Sequence, residues 1–154
     1  MRQKVLAMMM VLVLGVSVFF GNNLPVQAED LGEDMDFSYL LTDSALVGYA
    51  EAQTWGLYLM SGRSIINKIS STKIGAGGTT TASMVCEVSL CCIVERQTDT
   101  GWARVTSWSQ INESDISVMI SKSLTVGTGY YYRVRSLHTA ASDASSSCTS
   151  ALKM

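Results

Sequence analysis

The chain contains one histidine and one proline among 154 residues, and only 16% of its residues are charged. A single histidine excludes any metal site built on several imidazoles. Scarce proline, low charge and positive mean hydropathy argue against disorder. There is no G-x-S-x-G elbow, no phosphate-binding loop and no H-E-x-x-H pair. The chain is therefore expected not to be an enzyme and to carry no cofactor. Its basic residues are too few and scattered for a nucleic-acid surface. After residue 20, no apolar run is long enough to span a bilayer as a helix.

The first 28 residues have a different character. Arg2 and Lys4 precede an apolar run from Val5 to Phe20, broken only by Gly15 and Ser17. Gly21, Asn22, Asn23 and Pro25 then lead to Val26-Gln27-Ala28, whose small and β-branched residues suit a signal peptidase. Charged, apolar and cleavable regions in that order predict a secretory signal peptide over residues 1–28. The apolar run is shorter than the roughly 20 residues a membrane span requires. The product is expected to be secreted, with no membrane span after cleavage. What remains is one domain of ordinary size.

Charge is distributed unevenly along that remainder. Residues 29–51 contain Glu29, Asp30, Glu33, Asp34, Asp36, Asp43 and Glu51 without one Lys or Arg. The rest carries a small basic excess. A run of like charge usually stays solvated, so residues 29–50 read as an acidic, partly disordered arm, with Glu29 to Asp36 poorly ordered. Residues 51–154 read as the folded domain.

Within that domain the apolar residues alternate with period two. From Met84 to Arg96, Cys86, Val88, Leu90, Cys92 and Val94 point one way, as on a strand with one face on a core. Thr98-Asp99-Thr100-Gly101 predicts a hairpin turn into Trp102–Ser109. Ile116–Val126 and Tyr130–Thr139 read as strands around Gly127-Thr128-Gly129, and Ser145–Leu152 as a weaker last strand. Upstream, Gln53–Met60 and Ser64–Ser70 flank an expected turn at Ser61-Gly62. Lys73-Ile74 precedes an expected linker, Gly75–Gly78. The fold class predicted is all-β: a single-domain antiparallel β-sandwich or flattened barrel.

Several segments, in order, resemble a family of small secreted proteins of Gram-positive bacteria that has no assigned function. They are Ser38-Tyr39-Leu40-Leu41-Thr42, Tyr58-Leu59-Met60-Ser61-Gly62, Gly78-Thr79-Thr80-Thr81-Ala82, Gly101-Trp102, Ser121-Lys122-Ser123-Leu124 and Gly129-Tyr130-Tyr131-Tyr132-Arg133-Val134, followed by His138. The resemblance implies secretion and a β-fold and supplies no catalytic residue. Cys91-Cys92 departs from that family's pattern. In signal, size and β-rich body the chain is more distantly similar to lactococcin-type β-sandwich bacteriocins.

Secretion makes disulfide pairing the default expectation for Cys86, Cys91, Cys92 and Cys148. Along one strand, at about 3.3 Å per residue, the first three lie too far apart to pair, a vicinal bridge aside. Cys148 is then the possible disulfide partner for one of them, and at least two thiols stay free. Adjacent cysteines on opposite faces cannot close a zinc tetrahedron. Cys91 and His138 are the only thiol–imidazole pair available, and no sequence feature brings them together. Glu87 and Glu95, eight residues apart on a strand, are too distant for acid–base work.

Strand alternation places Trp102, Arg104, Thr106 and Trp108 on one face, and Tyr131, Arg133 and Arg135 on one face of a later strand. Displayed outward, these aromatic and guanidinium groups suit stacking on sugar rings or capture of acidic groups. The competing reading has both tryptophans capping the core under the arginine stems. The functional expectation is a secreted non-catalytic binding module at the bacterial exterior, its partner an extracellular glycan, surface or protein. The alternative expectation is a bacteriocin-like antimicrobial or toxin protein.

Overall fold

The computed structural model describes residues 32–50 and 56–154. The predicted signal segment 1–28, residues 29–31 and the start of the strand expected from Gln53 lie outside the described residues. The described chain is a single all-β domain, as the alternation predicts. It forms one antiparallel sheet of eight strands that does not close into a barrel. The strands are β1 (Glu33–Asp34), β2 (Leu46–Tyr49), β3 (Leu59–Lys68), β4 (Lys73–Thr98), β5 (Gly101–Thr125), β6 (Tyr131–Ala140), β7 (Asp143–Cys148) and β8 (Leu152–Lys153). A 3-10 turn, Phe37–Leu40, lies between β1 and β2, with Asp36 capping it by accepting from the Ser38 N–H.

The long β4–β5 hairpin is the spine. β3 pairs with the first half of β4, and β6 pairs with the second half from Val88 to Arg96. Between those halves the β4–β5 register breaks at Thr81/Cys86 and again at Cys86/Val88. Bulges bend a sheet. The two halves fold toward each other there, bringing β3 against β6 and β7, and β2 against β7. One sheet thus supplies both layers of a sandwich.

Two expected breaks are instead continuous strand. Gly75, Gly77 and Gly78 belong to β4 and make no linker. The Leu40 side chain fills the space where a Cβ at Gly75 or Gly77 would stand, and Gly78 lies against the Arg63 carbonyl. At Ser61-Gly62 no turn forms, because β3 runs through it with Gly62 flat beneath the His138 ring. Glycine, a turn signal in sequence, here permits close approach. Ile116 likewise starts no new strand, since β5 is unbroken from Gly101, and the weak last strand divides into β7 and β8. The turns at Gly101 (φ +136°) and Gly129 (φ +84°) do use glycine's freedom at positive φ.

The core follows the alternation along β4. Val88, Leu90, Cys92 and Val94 are fully buried, packed with Ile66, Ile74, Trp108 and Val134. Each such side chain contributes on the order of 1.5–3 kcal/mol on leaving water. The acidic arm also joins the sheet. Glu33 and Asp34 pair with Ser123 and Lys122, and β2 pairs with β3. A boundary at residue 50 therefore falls between two paired strands, and the described part of the supposedly disordered stretch Glu29 to Asp36 includes β1.

All four cysteines are free thiols. Cys148 is not a disulfide partner, because β6 lies between β7 and β4 and pairs with both. Two strand spacings come to about 9.5 Å, beyond the roughly 7 Å a disulfide spans. Burial pushes the Cys92 thiol up to about 12. Thiol titration of the denatured, unreduced protein is expected to find all four groups free; two would mean an intramolecular bridge and a different strand order.

Candidate binding face

The layer made by β8, β7, β6, the second half of β4 and the first half of β5 has an outer face rich in arginine and aromatic rings. Residues paired in register project on the same side. Glu95 is paired with Arg104 on one flank and Arg133 on the other, Gln97 with Trp102, and Ile93 with Arg135. Arg135 is paired in turn with Cys148, and Tyr131 with Lys153. Trp102, Arg104, Tyr131, Arg133 and Arg135 therefore share one continuous surface, although they come from successive hairpins.

Trp108 does not belong to it. The register passes from Val94↔Thr106 to Glu95↔Arg104, leaving Val105 as an extra, unpaired residue. One inserted residue exchanges the two faces of the strand beyond it. Trp102 and Arg104 are turned outward, whereas Thr106 and Trp108 point into the core, Trp108 opposite Cys92. The expectation of one shared face for all four residues is corrected by this bulge.

Glu95 organises the face. It is only 5% exposed and accepts from Arg133 Nε at 2.7 Å, and from Arg135 Nε and Nη2 at 3.2 and 3.0 Å. A carboxylate shielded from water between two guanidinium groups holds both in fixed positions. The Arg133 guanidinium also lies 4.1 Å from the centre of the Trp102 ring, a cation–π contact. It covers that side of the indole, so sugar stacking there is blocked. Lys153 sits 5.6 Å from the Tyr131 ring, and Arg96 lies 4.7 Å from the Tyr130 ring near the β6 turn. Arg104, Arg133, Arg135 and Lys153 thus stand on this face around Glu95. Sequence reading missed Glu95 and Lys153 as members. In sequence Glu95 stands out only as too distant from Glu87 for acid–base work, and the strand register that seats it between arginines is a tertiary property.

The thiol–imidazole possibility is settled by facing. Cys91 is paired with Leu137 on the outer side, while His138 points inward and is fully buried. Thr80 Oγ1 donates to the Ser89 carbonyl and is hydrogen-bonded to His138 Nδ1, 2.8 Å away. On the other side of the ring, Nε2 lies 2.8 Å from Ser147 Oγ, within hydrogen-bond reach. Ser64 Oγ links onward to Ser147 at 2.6 Å and Ser136 at 2.7 Å. Burial lowers the imidazole to about 4. This network ties β3, β4, β6 and β7 together in the interior, where no substrate reaches it. Among the described residues, no cluster of three or more His, Cys, Asp or Glu side chains is arranged to hold a metal ion.

No protein-family model and no curated protein matches the chain. Among solved structures it is similar to the solution structure of R. palustris CsgH, at 15% identity and a TM-score of 0.36. That likeness covers 53% of this chain and 83% of that one.

Proposed function

We propose that the protein is a secreted, non-catalytic binding module that works at the bacterial exterior through the outer face around Glu95. Secretion rests on the residues before Ala28 and on the resemblance to small secreted Gram-positive proteins. The observation carrying the reading is the pair Arg133 and Arg135, both held by one shielded carboxylate, with Arg135 the more exposed of the two. Guanidinium groups fixed in advance bind anionic groups with little ordering cost. The ligand class this favours is an acidic extracellular polymer or an acidic protein surface, rather than a neutral sugar stacked on Trp102.

The test compares the purified protein with an Arg135→Gln, Lys153→Gln double variant, which keeps Arg133 on Glu95 and leaves the core alone. Both are applied to intact Gram-positive cells and to acidic and neutral glycans. Saturable binding should be salt-sensitive and fall by about tenfold or more in the variant, which should stay folded with a melting temperature lowered by the loss of the Arg135–Glu95 hydrogen bonds. Binding of equal strength by both proteins would remove this face from the function.

A further inference from the structure

The outer face around Glu95 runs on into a polar cleft at one end of the sheet. On β4, Glu95 and Gln97 project from the same side, as Tyr131, Arg133 and Arg135 do on β6. Gln97 and Tyr131 also line a cleft of about 600 Å³ between the β4–β5 and β5–β6 turns, together with Arg96, Thr98, Asp99 and Tyr130. That volume lies within the range of small-ligand sites. From Arg135 to Tyr131 the distance along the strand is about 13 Å.

Both turns are firmly tied. Thr98 Oγ1 donates to the Gly101 carbonyl at 3.1 Å. The Gly129 N–H donates to the Met154 carbonyl at 2.6 Å, and the Met154 N–H to the Tyr130 carbonyl at 2.9 Å. The Arg96 guanidinium, 4.7 Å from the centre of the Tyr130 ring, bridges the end of β4 to the second turn. Walls fixed in this way lose little freedom when a ligand enters.

The cleft differs in chemistry from the arginines beside it. Asp99 only accepts hydrogen bonds, Arg96 only donates them, and Gln97 does both. Gln97 and Asp99 are exposed. Sugar hydroxyls, which donate and accept at once, match such a mixed set, whereas a carboxylate placed there would be repelled by Asp99. Arg96 covers one side of the Tyr130 ring, so hydrogen bonds rather than ring stacking would hold the sugar. Arg135, by contrast, keeps a side chain 45% exposed while bonded to Glu95 and suits an anion.

We infer that the ligand of this face is an acidic polysaccharide, with a charged unit at Arg135 and a neutral sugar unit further along the chain in the cleft at Gln97 and Asp99. An acidic protein segment offers no hydroxyl-rich ring and would bring further carboxylates toward Asp99. The inference rests on the binding-module reading and narrows its ligand to one class.

The probe is a fluorescently labelled oligosaccharide of alternating glucuronate and N-acetylglucosamine. Comparison probes are a galacturonate oligomer, charged at every unit, and a poly-glutamate peptide. Anisotropy should show saturable binding of the alternating oligomer, about tenfold tighter than either comparison. A Gln97→Ala, Asp99→Asn double variant changes only exposed side chains and should melt within a few degrees of the unaltered protein. It should lose about tenfold in affinity for the alternating oligomer, while its binding of poly-glutamate stays equal or tightens. Undiminished binding of the alternating oligomer by the variant, no saturable binding of it, or tighter binding of poly-glutamate would each overturn the inference. Cell-surface binding by the Arg135→Gln, Lys153→Gln variant reports on the broader reading separately. If that binding falls while Gln97→Ala, Asp99→Asn has no effect, the face still binds and only the sugar cleft is removed.

Discussion

Trp108→Ala is expected to cost about 3–5 kcal/mol of stability, while Trp102→Ala should cost only about 1 kcal/mol. The two residues lie six positions apart on one strand and look alike in sequence. Trp108 is 9% exposed and packs in the main core with Cys92 and Val94. Removing the indole leaves a void that neighbouring strands, tied by their ladders, cannot collapse to fill. Trp102 is half-buried on the outer surface, and its loss removes mainly the contact with the Arg133 guanidinium. Urea unfolding followed by circular dichroism distinguishes them. In a domain of this size the Trp108 change should lower the melting temperature by roughly 10 °C or more, and the Trp102 change by only a few degrees. Similar losses in the two variants would mean that the bulge at Val105 does not reverse the strand's faces.

Acid is expected to destabilise the protein through its one histidine, beginning near pH 6.5 and ending near pH 4. His138 is fully buried, and the groups around it are the Thr80 and Ser147 hydroxyls and Gly62, none of them charged. Burial lowers its pKa from 6.5 to about 4. Between those values the unfolded chain takes up a proton that the folded protein refuses. Stability from this group is therefore complete above pH 6.5, declines as pH falls, and stops declining below about 4. The loss amounts to roughly 3 kcal/mol, at about 1.4 kcal/mol for each pH unit between the two values. Asp143, whose carboxyl is held low chiefly by the Leu59 and Tyr58 backbone N–H groups, adds acid sensitivity only below its ordinary value of 3.8. The imidazole resonances should show no titration down to pH 5 while the protein stays folded. Denaturant unfolding at pH 7 and pH 4.5 should recover most of the loss, and His138→Gln should flatten that difference. A histidine titrating near 6.5 in the native state would refute the buried network.

Both results depend on which way a side chain faces, and alternation reveals facing only as far as the next irregularity. From Val88 to Val94 no residue is inserted on β4, so counting by twos identifies the buried set correctly. On β5 the same counting passes through Val105 and fails beyond it. Val105 is an ordinary strand residue, and nothing local marks it as the extra one. Its role appears only when Val94 and Glu95 are matched against Thr106 and Arg104. The arginine surface was partly legible for the same reason. Tyr131, Arg133 and Arg135 alternate cleanly along β6, but their union with Trp102 and Arg104 requires β6 to lie beside β4 in one layer.

By itself the sequence determined the class of fold, the inward face of β4, the positive-φ glycine turns at Gly101 and Gly129, and the alternation along β6. These follow from short-range sterics and from period-two burial, which act within a few residues. The tertiary structure alone decided that Gly62, Gly75, Gly77 and Gly78 are strand rather than breaks, because each lies under a side chain or carbonyl from a distant segment. It also decided that Glu95 holds two arginines, that Trp102 and Trp108 part company, and that Cys148 is separated from the other thiols. Each of these depends on strand register and order. The energy that selects them comes from contacts between residues dozens of positions apart, which no local pattern records.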